Sequence, residues 1–535
     1  MNKHSGWLYI IIFLMTMTLI SCQKEDPFTE QDPELEDLPD DIPEASDENK
    51  FVYNYLAVYY YWVDKVPELT DSKFNNRDYY NFYLNKFTDP FNLFYSHLYD
   101  YNVVDKWSIL FDNHTDIDNW LAGISETTGI VPGKILIDSE GSRGALVLYV
   151  LKDSPAARAG IKRGDIIMKV NGTRLTDSNY NDLLFNRLNS TYQMGEATKY
   201  GIYENGIERT VTAEIIQENP VFMDSIYNID GYKVGYLVYH GFTSTYDEKL
   251  GTSYDLLLND VFNKFRNAGI DKLILDLRYN LGGSVRSTAY LASMIYSNDT
   301  TRLFAKTQFN DFMQSQVIKE YGEEALNYYL EYYIDSETWK IHDENGTYLR
   351  SVKTPKTPVA TLNINDLYVL TTNNSVSASE LLINGLKAYG INLKCVGTTT
   401  RGKFVGSITL KDWIDYNNNV LNPNHTLGMQ LIVNKIVNSL GQADYIDGIP
   451  PDIRVQEDLL SFLPFGDTDE PLLRAALDDI RGILASKAAK QALFPAKSIE
   501  ITKGRPYLID QMYIDPVEIN KPDSSTLPVP IPVPR

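Results

Sequence analysis

Apolar residues fall into four textures along the 535-residue chain. From Trp7 to Ile20 they form one nearly unbroken run. From Phe51 to about Asn113 they recur at helical spacing, as in FVYNYLAVYYYWVDKVPEL, and Gly is nearly absent. This predicts a small helical unit whose aromatic stripe is core. From Ser125 to Gln217 short β-rich runs take over. A strand over 146–150 meets a turn at Asp153-Ser154-Pro155, a short helix AARAG stops on Gly160, and a strand IIMKV enters an Asn171-Gly172 hairpin.

From 221 to 482 strands and helices alternate, the α/β signature. KVGYLVYHGF reads as a strand and YDLLLNDVFNKFRNAG as an amphipathic helix stopped by Gly. DKLILDLRYNLGG is a buried strand entering a glycine turn. DLYVLTTNNSVSASELLINGLKAYG gives strand, loop and helix, and LKCVGTTTRGKFVGSITL gives strand, loop and strand. GIPPDIRV adds a turn and strand, and DEPLLRAALDDIRGIL a closing helix. The polar, Tyr-rich stretch 298–356 reads as an insertion with a helical piece, YGEEALNYYLEYYI.

Length and charge sharpen this division. The chain is too long for one compact core. The net charge of −22 argues against nucleic acid as a partner. From Glu25 to Glu48 there are 12 acidic residues and no Lys or Arg, a solvated, self-repelling tether. The basic start, the short apolar run and Ser21-Cys22 predict an export signal too short to span a bilayer. LISC resembles the bacterial lipobox, which implies cleavage before Cys22 and a lipid on that cysteine. CQKEDPF resembles the acidic signal of surface-exported Bacteroidetes lipoproteins. With Cys22 lipidated, Cys395 is left as a buried structural thiol in an apolar strand. The expected divisions are signal 1–21, tether 22–48, helical unit 49–124, β-rich unit 125–217, α/β core 218–486 and a tail 487–535 with a Pro-rich end.

Candidate chemistry concentrates in NNSVSASELL. Ser377-Ala378-Ser379-Glu380 fits a Ser-x-x-Glu capping box at a helix start. A serine between a strand and a helix N-terminus is also where outward N–H groups and the helix dipole favour developing negative charge. Such a serine needs a base. Of the six histidines, only His240, on a strand, is a serious candidate. Lys403, between two apolar runs after TTTRG, is the other, because burial disfavours the ammonium form.

These segments together resemble one family. SPAARAGIKRGDIIMKVNG is similar to a PDZ domain. LILDLRYNLGG, SVSASE, VGTTTRGKFVG and GIPPDI resemble four motifs, in this order, of the C-terminal processing (tail-specific) serine peptidases, over roughly 126–485. The resemblance implies a multidomain α/β chain with a crotonase-like peptidase core, an inserted PDZ domain and an N-terminal helical domain. It makes Ser377 the nucleophile and Lys403 its base, with Ala378 and the Gly282-Gly283 turn holding the oxyanion and no metal or cofactor. Ser407 stands where the family often carries the Gln that orients the lysine. The PDZ carboxylate loop falls at Gly129 and Ile130 without the usual Gly-apolar-Gly-apolar pattern. Asp276 and Arg278 read as shaping the glycine turn. The expected substrates are polypeptides with exposed C-terminal tails, met at the cell envelope by an enzyme anchored through Cys22. Two other readings stay open: a degenerate, peptide-binding PDZ lipoprotein, and a tricorn-like trimmer with His240 beside Ser377.

Overall fold

A computed structural model describes residues 38–483, apart from 122, 138–142, 177, 186–188, 199, 343–347 and 416–419. The export signal, Cys22, most of the tether and the tail therefore lie outside the described residues.

The aromatic-rich segment folds as helices Asp47–Tyr59, Arg77–Leu84, Pro90–Ser96 and His114–Leu121 with short 3-10 turns between them. Ser46, Asn76 and Asp89 cap the first three by accepting early backbone N–H groups. The apolar stripe is core, as its spacing predicts, but that core is shared. Phe51, Leu56, Tyr60 and Phe94 pack in one cluster with Phe309, Met429, Leu431 and Val433 of the α/β core. Strand Ile109–Phe111 also pairs with Gly428–Asn438, Ile109 opposite Gln430.

The β-rich unit is a sheet in the order Ile130–Ile137, Arg143–Val150, Ile166–Val170, Asn189–Thr198 and Gly201–Thr212. Ser154 caps the helix Pro155–Arg158, and Asn171 and Gly172 both take positive φ (50° and 78°) in the predicted hairpin. Its principal cluster, with Val147, Ile161, Ile167, Val170 and Tyr192, draws only on residues of this unit.

The core carries two sheets. One runs Val221–Ile229, Tyr232–Tyr239, Lys272–Asp276, Asp366–Thr371, Asn392–Gly397 and Ile453–Arg454. All neighbours in it are parallel except the first pair. Helices Tyr254–Ala268, Val285–Ile295 and Ala378–Lys387 cover one face, and Pro471–Ile480 covers the other. The second sheet is built on Gly428–Asn438, paired with Val405–Lys411, Ile109–Phe111 and Leu303–Phe309.

Two expectations change. YGEEALNYYLEYYI does not form the expected helix: a helix Asp311–Tyr321 ends at its first residue, and the rest forms a 3-10 turn Glu323–Leu326 and the strands Asn327–Tyr329 and Tyr333–Ile334. Its tyrosines satisfy either period, and pairing of Tyr328 with Ala305 settles the choice. The stretch 298–356 also feeds strand Leu303–Phe309 into the second sheet, so its start is core structure rather than an appendage.

Candidate active site

The glycine turn leaves the first sheet after Lys272–Asp276. Arg278 is fully buried and spans three carboxylates: Nη2 donates to Asp276 at 2.8 Å, and Nη1 to Glu470 at 2.6 Å and Glu457 at 3.2 Å. The pair thus anchors the turn, as the sequence suggests. Gly282 and Gly283 have φ of 106° and 132°. A Cβ on Gly282 would sit 2.7 Å from the Ser377 Cβ, and one on Gly283 would sit 2.0 Å from the Phe242 carbonyl oxygen. Only glycine permits this double approach.

The serine loop is tied to that turn. Asn280 Oδ1 accepts from the Gly282 N–H (2.9 Å) and from Ser379 Oγ (3.0 Å), and its carbonyl accepts from the Val376 N–H (3.1 Å). Ser375 Oγ donates to the Leu277 carbonyl at 2.7 Å. Ser375 and Ser379 are therefore fasteners. Ser377 differs from both: it has φ 65°, fully buried, and among the described residues its Oγ has no hydrogen-bond partner. Left-handed backbone at a non-Gly residue costs on the order of 1–3 kcal/mol and persists only where its surroundings impose it. The expected capping box is present in arrangement, and its firm half is the Ser377 N–H donating to Glu380 at 2.8 Å; among the described residues Oγ faces the Glu380 backbone without a hydrogen bond of good geometry.

No hydrogen bond ends on the backbone N–H of Ala378 or of Gly283 among the described residues. The Gly282 N–H is taken by Asn280, which leaves Gly283 as the donor of that turn.

Glu380 joins the serine to the lysine. Its carboxylate, fully buried, also accepts from the Lys403 N–H (2.8 Å), the Gly402 N–H (2.6 Å) and Thr400 Oγ1 (2.5 Å). Burial pushes this carboxyl up to about 7, against the pull of those donors. One oxygen, Oε2, thus holds the backbone N–H groups of both Ser377 and Lys403. Lys403 is fully buried, with Nζ over the Trp107 ring, 5.0 Å from its centroid. Ser407, on strand Val405–Lys411, accepts from Gln430 Nε2 at 3.0 Å.

The other candidates have partners of their own. His240 lies in an aromatic stack, 4.1 Å from the Tyr149 ring and 4.6 Å from that of Phe222, with Glu218 as its carboxylate neighbour at 3.9 Å. The Gly129 N–H donates to Thr127 Oγ1, and Ile130 is buried in the core of the β-rich unit. Sequence reasoning missed four contributors: Asn280, the stitching by Glu380, Trp107 and Gln430. The first two lie inside quoted motifs and carry buried polar groups. The other two arrive from distant segments with no local signal.

Residues 233–455 match the model of peptidase family S41, 146–185 that of a PDZ domain, and 47–109 that of the peptidase S41 N-terminal domain. The carboxy-terminal processing protease CtpB of Bacillus subtilis is 24% identical over 368 residues, covering 65% of this chain and 62% of its own length. The chain therefore spans under two thirds of that relative. A carboxy-terminal-processing protease of Bartonella bacilliformis is 26% identical over 137 residues, 26% of this chain and 30% of that one. A crystal structure from Bacteroides fragilis, of a protein assigned to the S41 proteases, superposes with a TM-score of 0.60 at 25% identity. It covers 83% of this chain and 99% of that one.

Proposed function

This chain belongs to peptidase family S41, and we propose that it is a serine endopeptidase of the C-terminal processing type, acting through a Ser377–Lys403 dyad. The carrying observation is the shared Glu380 oxygen, which keeps the backbones of the two residues within two hydrogen-bond lengths of each other.

In this reading neutral Lys403 Nζ takes the Ser377 Oγ proton as Oγ bonds to the substrate carbonyl carbon. The carbonyl electron pair moves onto oxygen, where the Ala378 and Gly283 N–H groups receive it. In comparable sites one such donor contributes about 3–4 kcal/mol. Collapse breaks the C–N bond, and the Lys403 ammonium gives its proton to the leaving amine. Water, deprotonated by Lys403, then releases the acyl group from Ser377. The reading uses no metal or cofactor. Positive φ at Ser377 and an Oγ with no partner suit a hydroxyl aimed at substrate rather than at its own helix.

Substrates are polypeptides with exposed, unfolded C-terminal tails. Lipidation at Cys22 would hold the enzyme on the outer membrane, facing the surface or the periplasm. Labelled palmitate should enter the parent and not Cys22→Ala. The degenerate, peptide-binding reading draws on Ser407 in place of the orienting Gln. Both readings meet one test: the purified protein is given an unfolded, apolar-tailed substrate and a peptide library. Cleavage should fall by at least about a thousandfold in Ser377→Ala and in Lys403→Ala. A parent that cuts nothing would leave only the peptide-binding reading.

A further inference from the structure

The lysine's partner ring does not come from the peptidase core. Trp107 lies at the end of the N-terminal helical region, 296 positions before Lys403, and is nearly fully buried. Its place is fixed from both sides. Buried Asp105 accepts from the N–H groups of Trp107 (3.0 Å) and Ser108 (2.9 Å) and from the Tyr60 hydroxyl (2.8 Å). Ser108 Oγ accepts from the Ile432 N–H at 3.1 Å. The indole packs in one apolar cluster with Val376, Val405 and Ile432. Val376 precedes Ser377, and Val405 is two residues beyond Lys403, so the indole shares one apolar cluster with a neighbour of each dyad residue.

We propose that Trp107 is a positioning residue for the reaction: its ring face holds Lys403 Nζ toward the dyad and stabilises the ammonium formed when the lysine takes the serine proton. The inference rests on the dyad reading above. An aromatic face attracts a cation much more strongly than the neutral amine. Trp107 therefore acts most where the proton has been transferred, which is differential stabilisation of the transition state. The N-terminal region becomes part of the catalytic apparatus. The charged groups around the pair are Glu380 at the Lys403 backbone, Arg401, bound to the Asn373 carbonyl and Asn374 Oδ1, and Asp105 and Lys106 beside Trp107. All of them remain when only the ring is changed.

The test is the rate of Ser377 labelling by a fluorophosphonate, measured against pH on the detergent-solubilised full chain. Parent, Trp107→Phe, Trp107→Leu and Lys403→Ala are compared, with unfolding midpoints recorded for each. Removing the ring should slow labelling about tenfold. It should also move the acid limb to lower pH, by up to about one unit, because the lost face favoured the protonated amine. Trp107→Phe should fall between parent and Trp107→Leu in both rate and limb. If Trp107→Leu fails to fold, a smaller downward shift in Trp107→Phe carries the same result. A parent-like limb in the folded ring variants overturns the proposal, whatever happens to the rate. If Lys403→Ala labels as the parent does, the dyad reading itself is wrong, an outcome distinguishable because it does not involve Trp107.

Discussion

Two units flank the peptidase core and are attached to it in different ways. The helical N-terminal region shares its apolar cluster with the second sheet, lends that sheet the strand Ile109–Phe111 and lays Trp107 against Lys403. The PDZ domain keeps a principal core of its own. It meets the peptidase core through a smaller cluster with Tyr279 and Phe462, and through buried Arg163. Arg163 donates to Glu457 (2.7 Å), the Tyr279 hydroxyl (3.0 Å) and the Leu148 and Leu463 carbonyls, and stacks on Phe462 with 3.7 Å to the ring centroid. Burial continuity makes the first unit one cooperative body with the site. The second keeps its principal cluster to itself and shares a smaller one with the core, so its docking is expected to give way separately from the core.

The largest test of this contrast is Phe94→Ala. Phe94 is fully buried in the shared cluster, so truncation should cost about 3–5 kcal/mol. Global unfolding and loss of Ser377 labelling should then coincide in a denaturant titration. Separate transitions would mean that the helical region is only an adjacent domain.

Glu380 comes next, because it holds the lysine loop to the serine helix on the same side. Its carboxyl is raised from 4.5 to about 7. The protonated form is thus favoured by folding: that contribution is complete below pH 4.5 and is lost as pH rises to about 7. The loss amounts to about 3 kcal/mol. Glu380→Gln should remove this pH dependence from unfolding measured between pH 4 and 8. It should also lower activity, because an amide oxygen cannot accept all four donors. An unchanged pH slope would contradict the assignment.

Arg163→Met, which keeps bulk but drops the charged hydrogen bonds, should weaken PDZ docking by about 2 kcal/mol. Limited proteolysis should then cut faster near residues 217–221, with the core transition unmoved. The smallest effect belongs to Ile167→Val, in the PDZ core. It should cost about 1 kcal/mol, visible only in a PDZ transition and leaving Ser377 labelling as in the parent.

What was legible in the sequence follows from what each residue answers to. Ser377, the glycine turn and the strand–helix alternation are local patterns, and each stands in the element its sequence predicted. Ser375 and Ser379 are local hydrogen-bonding residues beside Ser377, and the structure adds their partners, Leu277 and Asn280, which no local pattern names. Trp107 was one aromatic in a Tyr- and Trp-rich region whose stripe is correctly read as core, and its second partner lies across the chain. The Tyr321–Ile334 misreading has a similar cause. Tyrosines at positions compatible with both periods leave the choice to the neighbouring strand Leu303–Phe309. Gln430 reaches Ser407 from the opposite strand at a place where local spacing offered only a serine.

The most direct measurement is acid-quenched mass spectrometry of the enzyme during turnover of a peptide ester. The account predicts an acyl mass on the peptide containing Ser377, present in the parent and missing in Lys403→Ala. An acyl adduct on any other residue, or turnover that survives Ser377→Ala, would contradict it.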